Sequence, residues 1–182
     1  MKQEHPPLHL DVKAFAQAAS VIDGHNSLSK YERLMQETQG LGADLLVNWS
    51  ARGELRIDEA GAEQVWLHLT VDTRLPLTCQ RCLGPVAVPV VVQRSFRFVG
   101  SEEAAQEQDE EAEEDVLALS PDFKLADLIE DEVLMALPVV PRHDACPVAV
   151  KLEAVDPGFE TASAEKRNPF AVLAKLQGDK SR

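Results

Sequence analysis

From Leu45 onward the chain alternates. Leu45, Val47, Trp49 and Ala51 interleave with Leu46, Asn48, Ser50 and Arg52. A period of two places one set on each face of a strand. A turn is expected at Asp58-Glu59-Ala60-Gly61, where strand formers give way to turn formers. Alternation then resumes with Val65, Leu67, Leu69, Val71, Leu75 and Leu77, set against His68, Thr70, Asp72 and Arg74. Beyond Cys79-Gln80-Arg81-Cys82-Leu83-Gly84-Pro85 it continues through Val86, Val88, Val90, Val92, Phe96 and Phe98. Two long alternating runs joined by a Gly-Pro turn predict a hairpin. The two cysteines sit at its tip, with Gly84 easing the reversal.

Helical periods flank this region. Asp11 is placed to cap a helix through Ala19, with Val12, Phe15, Ala16 and Ala19 on one side. Asp23-Gly24-His25-Asn26 reads as a turn cluster. Ser29 and Glu32 have the spacing of a capping box, so a helix is expected over 29–39, ending at Gly40. Ser120-Pro121 predicts the start of another helix, with Leu125, Leu128, Ile129 and Val133 as its apolar stripe. That helix must end near Leu137, because Pro138 and Pro141 follow. Asn168-Pro169 predicts a short amphipathic helix carrying Phe170, Leu173, Ala174 and Leu176. Its apolar side packs on its own core or enters a partner's groove.

Charge changes the picture in one place. The net charge is −13, but residues 101–115 hold nine acids and no base, leaving only −4 for the rest of the chain. With no aromatic residue, this segment is expected to be a solvated, mobile loop. Nothing on the chain forms the basic stripe that phosphate-backbone binding requires, which disfavours direct nucleic-acid and DNA binding. The 182 residues suit one core of ordinary size. No apolar run reaches the roughly 18–20 residues of a membrane span. Met1–Pro7 lacks the apolar stretch of a secretory signal, so a cytoplasmic protein is expected.

Three cysteines do not make a disulfide framework. Cys79 and Cys82, two residues apart, can turn two thiolates toward one tetrahedral ion. His143 and Cys146 repeat a close spacing further on, so Cys79, Cys82, His143 and Cys146 form a candidate Cys3His zinc set. Two reduced thiols without a metal, and a thioredoxin-like redox pair, are the alternatives. The redox reading needs a helix N-terminus to lower the thiol pKa, and here the flanks are strands. Glu130-Asp131-Glu132, with Asp127 a turn earlier, could serve a metal-dependent hydrolase only if the carboxylates converged. Consecutive helical positions point apart, so a solvated helix face is expected. No nucleophile elbow, phosphate loop or dinucleotide fingerprint is present. No catalytic residue and no enzyme activity are expected.

Three segments in order carry a resemblance. They are Cys79-Gln80-Arg81-Cys82 before a valine-rich strand, Asp127 to Pro141 with its Leu137-Pro138-Val139-Val140-Pro141 end followed by His143-Asp144 and Cys146, and Asn168 to Leu176. In this order, over about residues 8 to 177, the chain resembles the YceD family, the large ribosomal RNA subunit accumulation proteins of bacteria, with relatives in chloroplasts. The resemblance implies a non-enzymatic factor for the synthesis, processing or stability of large-subunit ribosomal RNA. The implied partner is a ribosomal protein or rRNA-processing factor, with rRNA reached indirectly. A direct RNA-binding module, or a regulator of a phospholipid-synthesis enzyme encoded nearby, are the alternatives. Partner contacts are expected at Asp127, Glu130, Asp131, Phe170 and Leu173.

The expected architecture is one α+β domain over 1–182. An antiparallel, barrel-like sheet packs against a few helices, with a mobile acidic loop at 101–115 and a helical tail at 168–177.

Overall fold

The alternating runs become strands of one sheet. The computed structural model describes residues 9–150, Ala154 and Phe170. The chain divides into two compact units, Met1–Cys146 and Pro147–Arg182, and every element named below belongs to the first. In chain order these are β1 (His9–Leu10), α1 (Val12–Gln17), β2 (Val21–Ser27), a 3-10 turn (Leu28–Lys30), α2 (Glu32–Glu37), β3 (Leu46–Ile57), β4 (Glu63–Thr78) and β5 (Pro85–Val99). Then follow α3 (Glu102–Asp109), β6 (Asp115–Ala118), β7 (Phe123–Lys124) and α4 (Leu125–Met135). Among the described residues no helix is long and apolar enough to cross a membrane.

The main sheet has the order β2-β3-β4-β5-β6. Each of its first four strands is antiparallel to its neighbour, while β6 runs parallel to β5. A second, two-stranded sheet joins β1 to β7. The main sheet is open, with β2 and β6 at its edges, so the barrel-like expectation is corrected. A barrel needs its edge strands to meet; here β6 is four residues long and pairs only with Phe96–Val99.

One face of the sheet carries the core. Val47, Trp49, Leu67, Leu69, Val71, Leu75, Val90, Phe96 and Phe98 are buried there. Val12 and Phe15 of α1, Leu34 of α2, and Leu125, Ile129 and Val133 of α4 belong to the same apolar cluster. Asp11 caps α1 as its position predicts, accepting a bond from the Ala14 N–H at 3.0 Å. The helix can approach the sheet because Gly53 lies beneath it. A Cβ at Gly53 would stand 2.8 Å from the Ala16 Cα and backbone nitrogen. Gly53→Ala is therefore expected to destabilise the protein by about 1–3 kcal/mol through overpacking, although glycine is ordinarily a weak strand residue. A lowered urea midpoint tests this; an unchanged or raised one contradicts it.

Four other local expectations are corrected. Asp23–Asn26 is not a turn but the middle of β2. Its polar residues suit an edge strand, and buried Asn26 accepts a bond from Trp49 Nε1 at 2.7 Å. The Ser29–Glu32 capping box does not form; Ser29 bonds Ser27, and α2 begins after Tyr31 without a cap from its own chain neighbours. Ser120-Pro121 does not open α4. Ser120 accepts from the Asp122 N–H instead, Phe123 and Lys124 pair with β1, and the Phe123 ring meets Phe98 edge-on.

The acidic segment contains a helix, α3, rather than a continuous loop. Ser101 caps it by accepting from the Ala104 N–H, and Glu102 and Glu103 in the first turn favour the helix dipole. Ala105 is buried, and Asp109 accepts from the Val116 N–H, tying the helix to β6. The expected C-terminal helix and Leu173 lie outside the described residues. Phe170, in the second unit, is 69% exposed.

Candidate metal centre

The hairpin tip is built as a tight double turn. The Cys79 N–H donates to the Gly84 carbonyl and the Leu83 N–H to the Cys79 carbonyl, both at 2.9 Å. The residue that adopts the left-handed conformation in this turn is Leu83, with φ +59°. A non-glycine residue there costs roughly 1–2 kcal/mol, and Leu83 is also 76% exposed. The strained turn aims both cysteine side chains inward, toward the segment that follows α4.

That segment is held against the tip by backbone and side-chain bonds. The Gln80 N–H donates to the Pro141 carbonyl at 2.8 Å. Arg81 reaches across with its guanidinium, donating to the His143 and Asp144 carbonyls and to Cys146 Sγ, the last at 3.1 Å. From α4 to Cys146 the chain runs without helix or strand and bends at Val139 and Val140, which carries His143 and Cys146 back to the hairpin.

The four predicted ligands converge. One ligand atom each from Cys79, Cys82, His143 and Cys146 lies within 4.8 Å of all the others. Cys79 Sγ and Cys146 Sγ are 4.0 Å apart, and Cys82 Sγ is 3.5 Å from His143 Nδ1. A tetrahedron with Zn–S bonds of about 2.3 Å and a Zn–N bond of about 2.0 Å has edges of about 3.8 and 3.5 Å. The three cysteines are free thiols, and the Cys79–Cys82 pair is flanked by strands β4 and β5 rather than by a helix N-terminus.

The imidazole is oriented for ligation. His143 Nε2 lies 3.1 Å from the Pro85 carbonyl, to which it can only donate. That fixes the proton on Nε2 and leaves the Nδ1 lone pair facing Cys82, the arrangement that metal-bound histidines share. Sequence spacing could not reveal this, because the carbonyl comes from the far side of the hairpin.

The thiols differ. Burial pushes the Cys79 thiol up, but the backbone N–H groups of Cys82, His143 and Arg81, with the His143 ring, outweigh it and bring it down to about 5. The Gly84 N–H holds Cys82 down, yet burial and the neighbouring sulfurs of Cys79 and Cys146 push it up overall. A divalent ion between these sulfurs would favour thiolate ligands over thiols.

The carboxylates of α4 do not gather at one point. Glu130 accepts from the Arg33 and Leu34 N–H groups at 2.7 and 3.2 Å and from Arg33 Nε at 3.1 Å. It thereby caps α2 from another helix. Asp131 accepts from the same arginine's Nη1, and Glu132 faces Arg94 at 3.6 Å. Glu130 and Glu132 are each only 8% exposed, which corrects the solvated-face expectation. The reason is tertiary: their partners stand on α2 and β5. Glu130 is thus bonded within the fold, while Asp127 is exposed and near Lys124.

Another array escaped the sequence reading. On the sheet's other face, His68 bridges Ser95 and Glu54, at 2.7 Å to each. Glu54 also pairs with Arg52 and Arg56. Arg56 covers the Trp66 ring at 4.3 Å, and His68 stacks beside it. Bonds first to Arg56 and then to His68 hold the Glu54 carboxyl down at about 2. The cross-strand register Arg52–His68–Ser95 places these groups side by side, a proximity that no spacing along one strand signals.

Comparison with known proteins adds the family. The model of the family described as "Large ribosomal RNA subunit accumulation protein YceD" matches residues 67–177. A Haemophilus influenzae protein bearing that same description is 28% identical over 179 residues, covering 97% of this chain and 99% of its own. No solved structure matches.

Proposed function

Because the chain belongs to the YceD family of large ribosomal RNA subunit accumulation proteins, we propose that it is a non-enzymatic cytoplasmic factor supporting the synthesis, processing or stability of large-subunit ribosomal RNA. The family match, together with a relative aligned over nearly the whole chain, is the observation that carries this reading. It reaches RNA through a protein partner. In support, four of the arginines that would make a basic face are paired within the fold: Arg52 and Arg56 share Glu54, Arg97 meets Glu114, and Arg94 meets Asp115. A chain of net charge −13 suits a basic ribosomal protein or an rRNA-processing factor.

Structural zinc held by Cys79, Cys82, His143 and Cys146 completes the reading. The donor set is that of closed structural sites, with four protein ligands and no open position. The ion would pin the β4–β5 tip to the segment after α4, two regions more than 60 residues apart in sequence.

Depleting the protein from its host tests the function. The ratio of large- to small-subunit ribosomal RNA is expected to fall, and to recover when the intact chain is supplied. An unchanged ratio in fully depleted cells would sink the proposal.

A further inference from the structure

Only the far end of β5 is paired with β6; among the described residues no strand borders Pro85–Gln93 on that side. Along this stretch, a cleft of about 290 Å³ opens between β5 and the last turn of α4. Its apolar wall is uncovered: Met135 is 75% exposed, with Ala136 beside it. Its floor is polar. Glu132 lies there with its side chain 9% exposed, and its one ionic contact among the described residues is Arg94 Nε at 3.6 Å, beyond hydrogen-bond length. The Arg94 guanidinium is meanwhile bonded to Asp115. One arginine therefore serves two carboxylates, and the cleft keeps an uncompensated negative charge at its base.

We propose that this cleft receives a lysine or arginine side chain of a basic protein partner, its aliphatic stem along Met135 and Ala136 and its cationic head on the Glu132 carboxylate.

The chemistry matches on both counts. Long basic side chains bury their methylenes on apolar surface while keeping the charged end at a polar one. A buried carboxylate without a full complement of donors gains most from a charge-assisted bond. Burial, and the charges of Asp115 and Asp131 against the opposing pull of Arg94, hold Glu132 above the usual carboxylate range. An incoming cation relieves that conflict. Pro85 and Pro89 interrupt the donors along β5, so recognition by side chain is favoured over addition of a partner strand. An RNA phosphate, by contrast, would be repelled by Glu132. The cleft stands on its own geometry and does not depend on the ribosomal reading, although it offers the basic partner of that reading a place to dock.

The probe is the peptide Nα-acetyl-Val-Lys-Val-amide, with its norleucine analogue as the uncharged control, followed through the backbone amide spectrum of the full chain. Saturable shifts are expected at Gln93, Met135 and Ala136 with the lysine peptide. Binding of the norleucine peptide should be at least tenfold weaker. Glu132→Gln, which keeps the side-chain shape, should abolish the difference between the two peptides; Glu63→Gln, an exposed carboxylate elsewhere, should preserve it. Equal response to both peptides overturns the proposal. So do lysine-dependent shifts that survive in Glu132→Gln or that fall only on α3, and so does perturbation of these amides by a short single-stranded RNA. A normal ribosomal RNA ratio in depleted cells would remove the ribosomal reading and leave the peptide result standing, so the two failures are separable.

Discussion

Stripping zinc from the purified protein with a tight chelator is expected to lower its thermal midpoint by roughly 10 °C. Ligation that favours only the folded state adds about 4 kcal/mol when the free metal stands a thousandfold above its dissociation constant. For a chain of this size each kcal/mol moves the midpoint by about 2–4 °C. Cys82→Ser should reproduce the loss, because it removes one of four ligands and leaves Cys79, Cys146 and His143 around an incomplete shell. The metal content of the purified chain should fall with it, from about one ion per chain. The sheet should survive, since its apolar cluster lies along β3, β4 and β5 with α1 and α4. Spectral change should concentrate at 79–84 and 138–146. A chain that carries no metal after growth in zinc-replete medium, and whose midpoint ignores the chelator, would refute the centre.

Glu130→Ala should be the most damaging carboxylate substitution. Two backbone N–H groups at the start of α2 lose a charged acceptor, and Arg33 loses one of its two partners. Hydrogen bonds to charged groups contribute about 1.5–3 kcal/mol each. Arg33 is half exposed and regains water, so its share is small. A total near 3 kcal/mol is expected. Glu130→Gln keeps an acceptor for both N–H groups and should recover more than half of it. Tyr31, whose hydroxyl is pushed up by burial and then by the Glu130 charge, sits against the same cap. Urea midpoints for the two variants decide the matter. Equal losses would mean that charge, rather than capping, is what Glu130 contributes.

What could be read from the sequence divides along a physical line. β3, β4 and β5 were legible because each has one wet and one dry face, so Val47, Leu69 and Val90 recur at every second position. β2 was not, because Asp23, Gly24 and His25 are ordinary turn residues and Asn26 is buried on the strength of a bond to Trp49. The acidic run hid α3, since its helix depends on the Ser101 cap and one buried alanine rather than on an apolar stripe. The four ligands were legible from spacing. The bond that aims His143, the strain at Leu83 and the burial of Glu132 depend on residues remote in sequence, and no local pattern encodes them.

The cap on α2 also bears on the order in which the molecule becomes solid. A helix of six residues does not persist alone in water. Its stabilising carboxylate arrives 97 residues later, on α4. During synthesis the N-terminal third leaves the ribosome first, yet α2 must wait until α4 has been made and docked. Its contacts should therefore form after the rate-limiting step, so that Glu130→Gln speeds unfolding while leaving the folding rate nearly untouched.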